Sequence, residues 1–277
     1  MEQGPTSLRR PGVRGHLPGV RPGVLEADLL RALDQREIEV LFQPQFSCVT
    51  GALTGAEALA RWRHPTLGPI GARDLFAVAE RAALVAPLSR HVVARALEDA
   101  ATWPANLTLS LNITPEELGD PRFAAEFAAL IGQSDIAPQR LMLEITEDLL
   151  LRNLAQAASA LKALRGLGFR TALDDFGAGF CNFRYLRELP LDALKLDKAM
   201  VEGVPADATA LAVLRAIIAL ARALGLVVYA EGIEDEIQRA AITAEGCDYW
   251  QGFLRAQPMP SESVVALART ARGMGHG

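Results

Sequence analysis

Short apolar runs alternate with longer amphipathic stretches from about Leu25 to the end of the chain. Eight runs have the length and composition of β-strands, and they fall at residues 40–45, 55–62, 107–113, 141–145, 171–174, 193–196, 227–230 and 248–251. Helical spacing of apolar residues marks the stretches 88–102, 153–164, 210–224 and 261–272 between or after them. The pattern therefore predicts an α/β protein.

Strand–helix alternation repeated about eight times over roughly 250 residues is typical of a (β/α)₈ barrel. An open doubly wound sheet is the alternative. Two observations favour the barrel. The first strand is not followed by a GxGxxG sequence, and polar groups follow many strands instead of clustering at one switch point.

Polar side chains stand at the ends of these apolar runs, where a buried charge is unfavourable by several kcal/mol unless it is paired. They are Glu57, Asn112, Glu144, Asp174, Asp175 and Glu231. In barrel enzymes such strand ends meet at one mouth, so we expect these groups to converge. Oxygen donors without thiolates or clustered imidazoles suit Mg²⁺ or Mn²⁺ better than zinc.

Two basic residues accompany this acidic set. Lys195 lies inside an apolar run, where an inward-facing lysine requires anions around it. Arg61 follows Glu57 by four residues and can offer a planar fork to a phosphate. Each polar residue taken alone also has a structural explanation: a turn at Asp174 and Asp175, a helix cap at Asn112. Recurrence at six strand ends favours a shared site.

Composition indicates which classes of binding partner and which cellular compartment are expected. The 277 residues carry a net charge of −5, which provides no basic field for DNA or RNA. Three cysteines without CxxC spacing fit a reducing cytoplasm. No signal peptide or membrane segment is expected; the most apolar stretch, 210–229, contains Arg215 and Arg222 and is interpreted as a core helix leading into a strand.

Residues 1–24 are rich in Gly, Pro and Arg, and we interpret them as a disordered arm or linker. Residues 25–277 form the predicted folded domain.

Seven sequence blocks, in order, resemble the EAL domain family of bacterial phosphodiesterases, which hydrolyse cyclic di-GMP. They are EALARW at 57–62, LNIT at 111–114, LEITE at 143–147, DDFGAGF at 174–180, LKLD at 194–197, AEGIE at 230–234 and QGF at 251–253. The resemblance covers nearly the whole chain from Leu25. EAL alone is a weak motif, whereas seven ordered blocks are specific.

The resemblance implies a modified TIM barrel whose first strand is antiparallel to the others. It implies two divalent cations, Mg²⁺ or Mn²⁺, bound by the six acidic and amide residues given above. Lys195, Glu57 and Glu231 then form the catalytic group, with Lys195 contacting the nucleophilic water. Substrate contacts map to Gln43, Leu59, Arg61 and Gln251, and supporting residues to Glu147, Asp197 and Glu234.

The implied activity is hydrolysis of cyclic di-GMP to linear pGpG by two-metal activation of water. A homodimer is expected from the resemblance, which also leaves room for an upstream sensory or GGDEF domain outside this chain. Two other hypotheses stay open. One is an inactive or slow EAL domain that serves as a cyclic di-GMP receptor or interaction module. The other is an enolase-type Mg²⁺ barrel enzyme.

The chain departs from the family pattern in the loop after the paired aspartates, which usually reads DFGTGYSS. Ala178, Phe180, Cys181 and Asn182 replace the usual residues. This loop, Gly177 to Asn182, couples metal binding to dimerisation in the family, so we expect the changes to affect regulation and turnover. None of them removes a metal ligand.

Overall fold

The computed structural model describes residues 23–35, 37–146, 154–178, 183–204 and 206–273. The chain divides into two compact units. Among the described residues, one unit contains those up to Glu39 together with Ala60–Leu88, and the other contains Val40–Leu59 together with those from Ser89 onward. The predicted arm at 1–24 falls outside the described residues except for Gly23 and Val24, so its assignment stays a prediction.

Nine strands occur in the described residues. They are β1 (Ile38–Ser47), β2 (Leu53–His64), β3 (Gly68–Ile70), β4 (Thr108–Asn112), β5 (Leu141–Thr146), β6 (Arg170–Phe176), β7 (Ala193–Leu196), β8 (Val227–Ala230) and β9 (Tyr249–Gln251).

The helices, numbered in chain order, are α1 (Val24–Asp34), α2 (Ala72–Arg81), α3 (Val85–Ala100), α4 (Pro115–Gly119), α5 (Phe123–Ile131), α6 (Leu154–Gly166), α7 (Phe183–Glu188), α8 (Lys198–Glu202), α9 (Ala208–Ala223), α10 (Glu236–Glu245) and α11 (Ser261–Gly273). A short 3₁₀ helix at Pro138–Arg140 precedes β5. Among the described helices, none has the length and apolar content needed to cross a bilayer.

The larger unit is a closed barrel of eight strands. Its strands are hydrogen-bonded in the order β1, β9, β8, β7, β6, β5, β4, β2, and β1 also pairs with β2 to close the ring. Strand β1 runs antiparallel to β9, while every pair from β2–β4 through β8–β9 is parallel. This confirms the predicted barrel with its antiparallel first strand.

The smaller unit contains α1, β3, α2 and the adjoining ends of β1 and β2. Strand β3 pairs antiparallel with the end of β2, with Ile70 opposite Trp62. The indole Nε1 of Trp62 donates to Glu37 Oε2 at 3.1 Å, and Glu37 also accepts from Arg31. A buried aromatic residue is thereby joined to a local ion pair. Strand β3 was not predicted, because three residues are too few to show periodicity.

Helix α3 begins three residues earlier than the sequence predicts. The prediction starts after Pro87, whereas the helix starts at Val85 and contains Pro87 in its first turn. Proline is tolerated there, because the first backbone N–H groups of a helix have no partner within it.

The floor of the barrel is made of small and aromatic side chains. Met142, Ala172, Ala193 and Tyr229 form a buried cluster, with Tyr249 packed against it. The Tyr229 and Tyr249 rings stack with their centroids 4.8 Å apart. The small side chains of the two alanines leave space for the two tyrosine rings in this cluster.

The loops after β8 and β9 approach each other without space for a side chain. A Cβ at Gly252 would overlap the backbone of Ile233, and the two loops exchange backbone hydrogen bonds from Ile233 N to Gln251 O and from Leu254 N to Ile233 O.

We therefore expect Gly252→Ala to lower the free energy of unfolding by about 1–3 kcal/mol through overpacking. Gly119→Ala is the matched control, since nothing lies within 4 Å of a Cβ at that position, and it should change stability by less than about 0.5 kcal/mol. Urea unfolding of both variants makes the comparison. Equal stability of the two would show that the close approach is absent in solution.

Candidate active site

Register between neighbouring strands places the predicted site residues on the inner face of the barrel. Partners opposite each other in a parallel pair point to the same side. Asn112 lies opposite Glu144, Lys195 opposite Tyr229, and Gln251 opposite Gln45 across the antiparallel pair. Side chains two positions apart on a strand point to the same face, which brings further site residues to the interior. One interior layer is therefore acidic, and the layer below it is the apolar floor.

The centre of this layer is the Lys195 ammonium, with only 1% of the side chain exposed. Its Nζ lies 3.2 Å from Glu57 Oε2, 2.7 Å from Glu144 Oε2, 3.0 Å from Asp174 Oδ1 and 2.7 Å from Glu231 Oε1. Strands β2, β5 and β6 each deliver one carboxylate to a single cation, and the residue after β8 delivers the fourth. We name Lys195 and these four carboxylates the lysine cluster.

Two amides hold the Glu57 carboxylate from its remaining sides. Asn112 Nδ2 donates to Glu57 Oε1 at 2.9 Å, and Gln251 Nε2 donates to Glu57 Oε2 at 2.8 Å. The same Gln251 nitrogen lies 2.9 Å from Glu231 Oε1. Glu57 is therefore fixed by one ammonium and two amides, which meets the requirement that a buried charge be paired.

Burial and charge act in opposite directions on the pKa values of the cluster. Burial alone would lower the pKa of Lys195, but the four surrounding carboxylates outweigh it and raise that pKa well above its usual value. Burial raises the pKa of Glu144 and of Glu231 well above the usual range. For Glu57 the Lys195 charge and the amide hydrogen bonds outweigh burial and lower the pKa. Lys195 is therefore cationic and Glu57 ionised.

A β-bulge brings two consecutive carboxylates to the site. The register between β6 and β7 shifts between Leu173 and Phe176, and Asp175 has a positive φ of 55°. In a regular strand, adjacent side chains point to opposite faces; the extra residue of a bulge removes that alternation. Burial and the Asp174 charge raise the pKa of Asp175 to about 6.

The donor set can hold divalent cations. Ligand oxygens of Glu57, Glu144 and Asp174 lie within 4.8 Å of one another, and so do those of Asp174, Asp175 and Glu231. Within the described residues, the buried atom Glu144 Oε1 accepts no hydrogen bond. A buried oxygen without a donor is a suitable ligand for a hard cation, and Asp174 belongs to both groups of ligand oxygens.

Comparison with known proteins identifies the family of this chain. A family model described as the EAL domain matches residues 26–258. The chain belongs to the EAL domain family.

Similar proteins include two named phosphodiesterases of Pseudomonas aeruginosa. Cyclic di-GMP phosphodiesterase PA2567 is 38% identical over 248 residues, which are 88% of this chain and 42% of that protein. Cyclic di-GMP phosphodiesterase RocR is 36% identical over 242 residues, covering 86% of this chain and 62% of that protein. This EAL chain therefore spans less than two thirds of the length of these relatives.

A solved structure described as the PaMucR phosphodiesterase in complex with c-di-GMP matches with a TM-score of 0.82 and 31% identity. The match covers 87% of this chain and 99% of that one.

The other residues predicted from the EAL pattern have varied surroundings. Gln43 is buried and donates to the carbonyl oxygen of Ala256 at 2.7 Å. Leu59 is half-buried on β2. Arg61 belongs to the smaller unit, where its Nη1 donates to Ala60 O at 2.9 Å.

Two of the predicted supporting residues follow barrel strands: Asp197 comes directly after β7, and Glu234 comes four residues after β8. Asp197 caps the N-terminus of α8 by accepting from Ala199 N at 2.8 Å, and Glu234 pairs with Lys198 at 2.6 Å. Glu147 lies outside the described residues, and so do residues 179–182 of the loop whose sequence differs from the family pattern. The roles assigned to all these residues stay predictions.

Sequence reasoning missed Gln45, Ser110 and Tyr229. The first two sit two positions after Gln43 and two before Asn112 on the same inner faces, and Tyr229 precedes Glu231 by two. The period-2 alternation of a strand could have found all three once the inward-facing partner on each strand was known.

Two substitutions at Asp175 distinguish the effect of backbone strain on stability from the effect of the lost charge on metal binding. Asp175→Asn keeps a residue type that tolerates positive φ, so its metal-free chain should be at least as stable as the wild type. Asp175→Val should lose about 1–3 kcal/mol, because a β-branched residue is strained there. Both changes remove one carboxylate, and both should weaken Mn²⁺ binding. Unfolding by urea and titration with Mn²⁺ test this, and equal stability of the two variants would contradict it.

Proposed function

We propose that this chain is a metal-dependent phosphodiesterase that hydrolyses cyclic di-GMP to linear pGpG. The observation that carries the proposal is the lysine cluster, which together with Asp175 contains the five carboxylates that we predict as metal ligands. Named relatives with this activity and the PaMucR complex with c-di-GMP support the choice of substrate.

Charge supports two cations at the site. The lysine cluster together with Asp175 contains five carboxylates and one ammonium, which carry four net negative charges when fully ionised. Two divalent cations balance that charge, whereas one leaves it half compensated. Asp174 would be available to both cations, because its carboxylate belongs to both candidate ligand groups. Asn112 would offer its amide oxygen as a further ligand.

Bound Mg²⁺ or Mn²⁺ would activate a water molecule and offset charge on the phosphoryl oxygens. The remaining tasks fall to the side chains. Lys195 offers N–H donors between Asp174 and Glu231, where it orients the attacking water. We assign Glu231 as the acceptor of the water proton. Water oxygen bonds to phosphorus, the bond from phosphorus to the 3′ oxygen breaks, and the 3′ oxygen gains a proton.

Three further parts of the proposal rest on the family resemblance. They are substrate contacts from Gln43, Leu59, Arg61 and Gln251, a homodimer, and control by domains outside this chain. A cytoplasmic location is proposed from the cysteine usage. The match covers only 42% and 62% of the two named phosphodiesterases, which leaves room in those proteins for additional domains.

The direct test is incubation of the purified chain with cyclic di-GMP and Mg²⁺, Mn²⁺ or Ca²⁺, with products separated by chromatography. We expect pGpG with Mg²⁺ or Mn²⁺ and none after EDTA. Glu57→Gln and Asp174→Asn should each reduce kcat/KM by at least about 100-fold, the upper end for disturbed metal sites. Glu98→Gln is the control, because Glu98 is exposed and pairs only with Arg95 among the contacts described.

Three results would contradict this function. Near-normal turnover of cyclic di-GMP by Glu57→Gln would contradict the assignment of Glu57 as a metal ligand. Tight binding of cyclic di-GMP without pGpG would favour the receptor. Exchange of a carboxylate α-proton, without reaction of cyclic di-GMP, would favour the enolase-type alternative.

A further inference from the structure

We propose that Gln45 is a positioning residue that orients the Gln251 amide and, through it, the carboxylates of Glu57 and Glu231. The proposal rests on the function given above, because it assigns those carboxylates to the metal site. Gln45 lies on the antiparallel first strand and has no place in the seven sequence blocks.

The orientation of Gln251 follows from the chemistry of its partners. Its side-chain nitrogen lies 2.8 Å from Glu57 Oε2 and 2.9 Å from Glu231 Oε1. The ionised carboxylate of Glu57 only accepts hydrogen bonds, so the NH₂ group must face it. The amide oxygen of Gln251 therefore points away from the carboxylates and needs a donor of its own.

Gln45 supplies that donor. Its Nε2 lies 3.0 Å from Gln251 Oε1 and also approaches Ser110 Oγ at 3.4 Å. Only 1% of Gln45 is exposed, so bulk water cannot replace it as the donor. Since buried polar groups in native proteins are almost always hydrogen-bonded, the amide of Gln45 is the group that satisfies Gln251.

The backbone fixes this contact. Gln45 and Gln251 are register partners in the antiparallel pair of β1 and β9, and the Gln45 carbonyl accepts from Thr54 Oγ1 at 3.1 Å. The antiparallel first strand, which closes the barrel, thus places the Gln45 side chain beside Gln251.

Loss of the Gln45 donor would leave the buried Gln251 amide oxygen without a hydrogen bond and so weaken the preference for the observed orientation of that amide. In the flipped orientation the amide oxygen would face Glu57 and Glu231, and repulsion would displace both carboxylates. Partners that orient metal ligands typically contribute 10–100-fold to metal affinity or activity. Gln45 acts one contact further away, so we expect an effect of about tenfold.

A double-mutant cycle tests the proposal. Gln45→Met retains an unbranched side chain of similar length without the amide, and Gln251→Met does the same at its partner. Gln45→Met should weaken Mn²⁺ binding about tenfold and lower kcat at saturating Mn²⁺, with KM for cyclic di-GMP nearly unchanged. In the Gln251→Met background the same change should weaken Mn²⁺ binding by less than about twofold, because the group it orients is gone.

Ser261→Ala is the matched control. It removes a buried hydrogen bond, from Trp103 Nε1 to Ser261 Oγ at 2.9 Å, outside the lysine cluster. It should lower the unfolding midpoint and leave the Mn²⁺ affinity unchanged. A parallel loss of Mn²⁺ affinity in this control would assign the Gln45 effect to general destabilisation and overturn the proposal.

A measurement on the unaltered chain avoids any dependence on variant folding. Side-chain amide protons of both glutamines should exchange slowly with solvent by NMR. Fast exchange at Gln45 would overturn the proposal, as would unchanged Mn²⁺ affinity in Gln45→Met or equal effects of that change in the two backgrounds. If the wild type binds Mn²⁺ but makes no pGpG, the proposed function fails, whereas the Mn²⁺ cycle still decides the role of Gln45. A wild type that binds no Mn²⁺ overturns both.

Discussion

The lysine cluster is the interaction on which the structure of this EAL domain depends. Three strands and the residue after β8 direct carboxylates into a space closed below by packed alanine and tyrosine side chains, and like charges so close together would repel strongly in a medium of low dielectric constant. The Lys195 ammonium contacts all four at 2.7–3.2 Å. It allows the barrel to hold an acidic centre without bound metal, and the same carboxylates that it compensates are those that we propose as ligands of the divalent cations.

Strand geometry explains why the acidic residues meet. Inward-facing positions recur every second residue, and register carries the inner face from strand to strand around the ring. Two irregularities modify this pattern. The bulge at Asp175 adds a second carboxylate beside Asp174, and the antiparallel first strand places Gln45 opposite Gln251. Both irregularities therefore serve the polar layer, while the apolar floor remains regular.

Much of this was predictable from the sequence, because alternating apolar runs and polar strand ends are local features. Strands β7 and β8 match their predicted bounds, and the convergence of Glu57, Glu144 and Asp174 was expected. Lys195 was expected to face anions, and the structure shows that these anions are carboxylates. Short elements such as β3 were missed, and so were residues such as Gln45, whose role depends on a partner 206 positions away. Long-range pairing of this kind has no local signal.

The most direct test of the central claim is a double-mutant cycle of Lys195→Met and Glu144→Gln in the metal-free chain, measured by urea unfolding. Removing one partner of a buried ion pair typically lowers stability by about 3–5 kcal/mol, so Lys195→Met should be strongly destabilised. Glu144→Gln in that background should restore part of the loss, with a coupling energy of about 0.5–3 kcal/mol. Additive effects, or a Lys195→Met chain as stable as the wild type, would contradict the account.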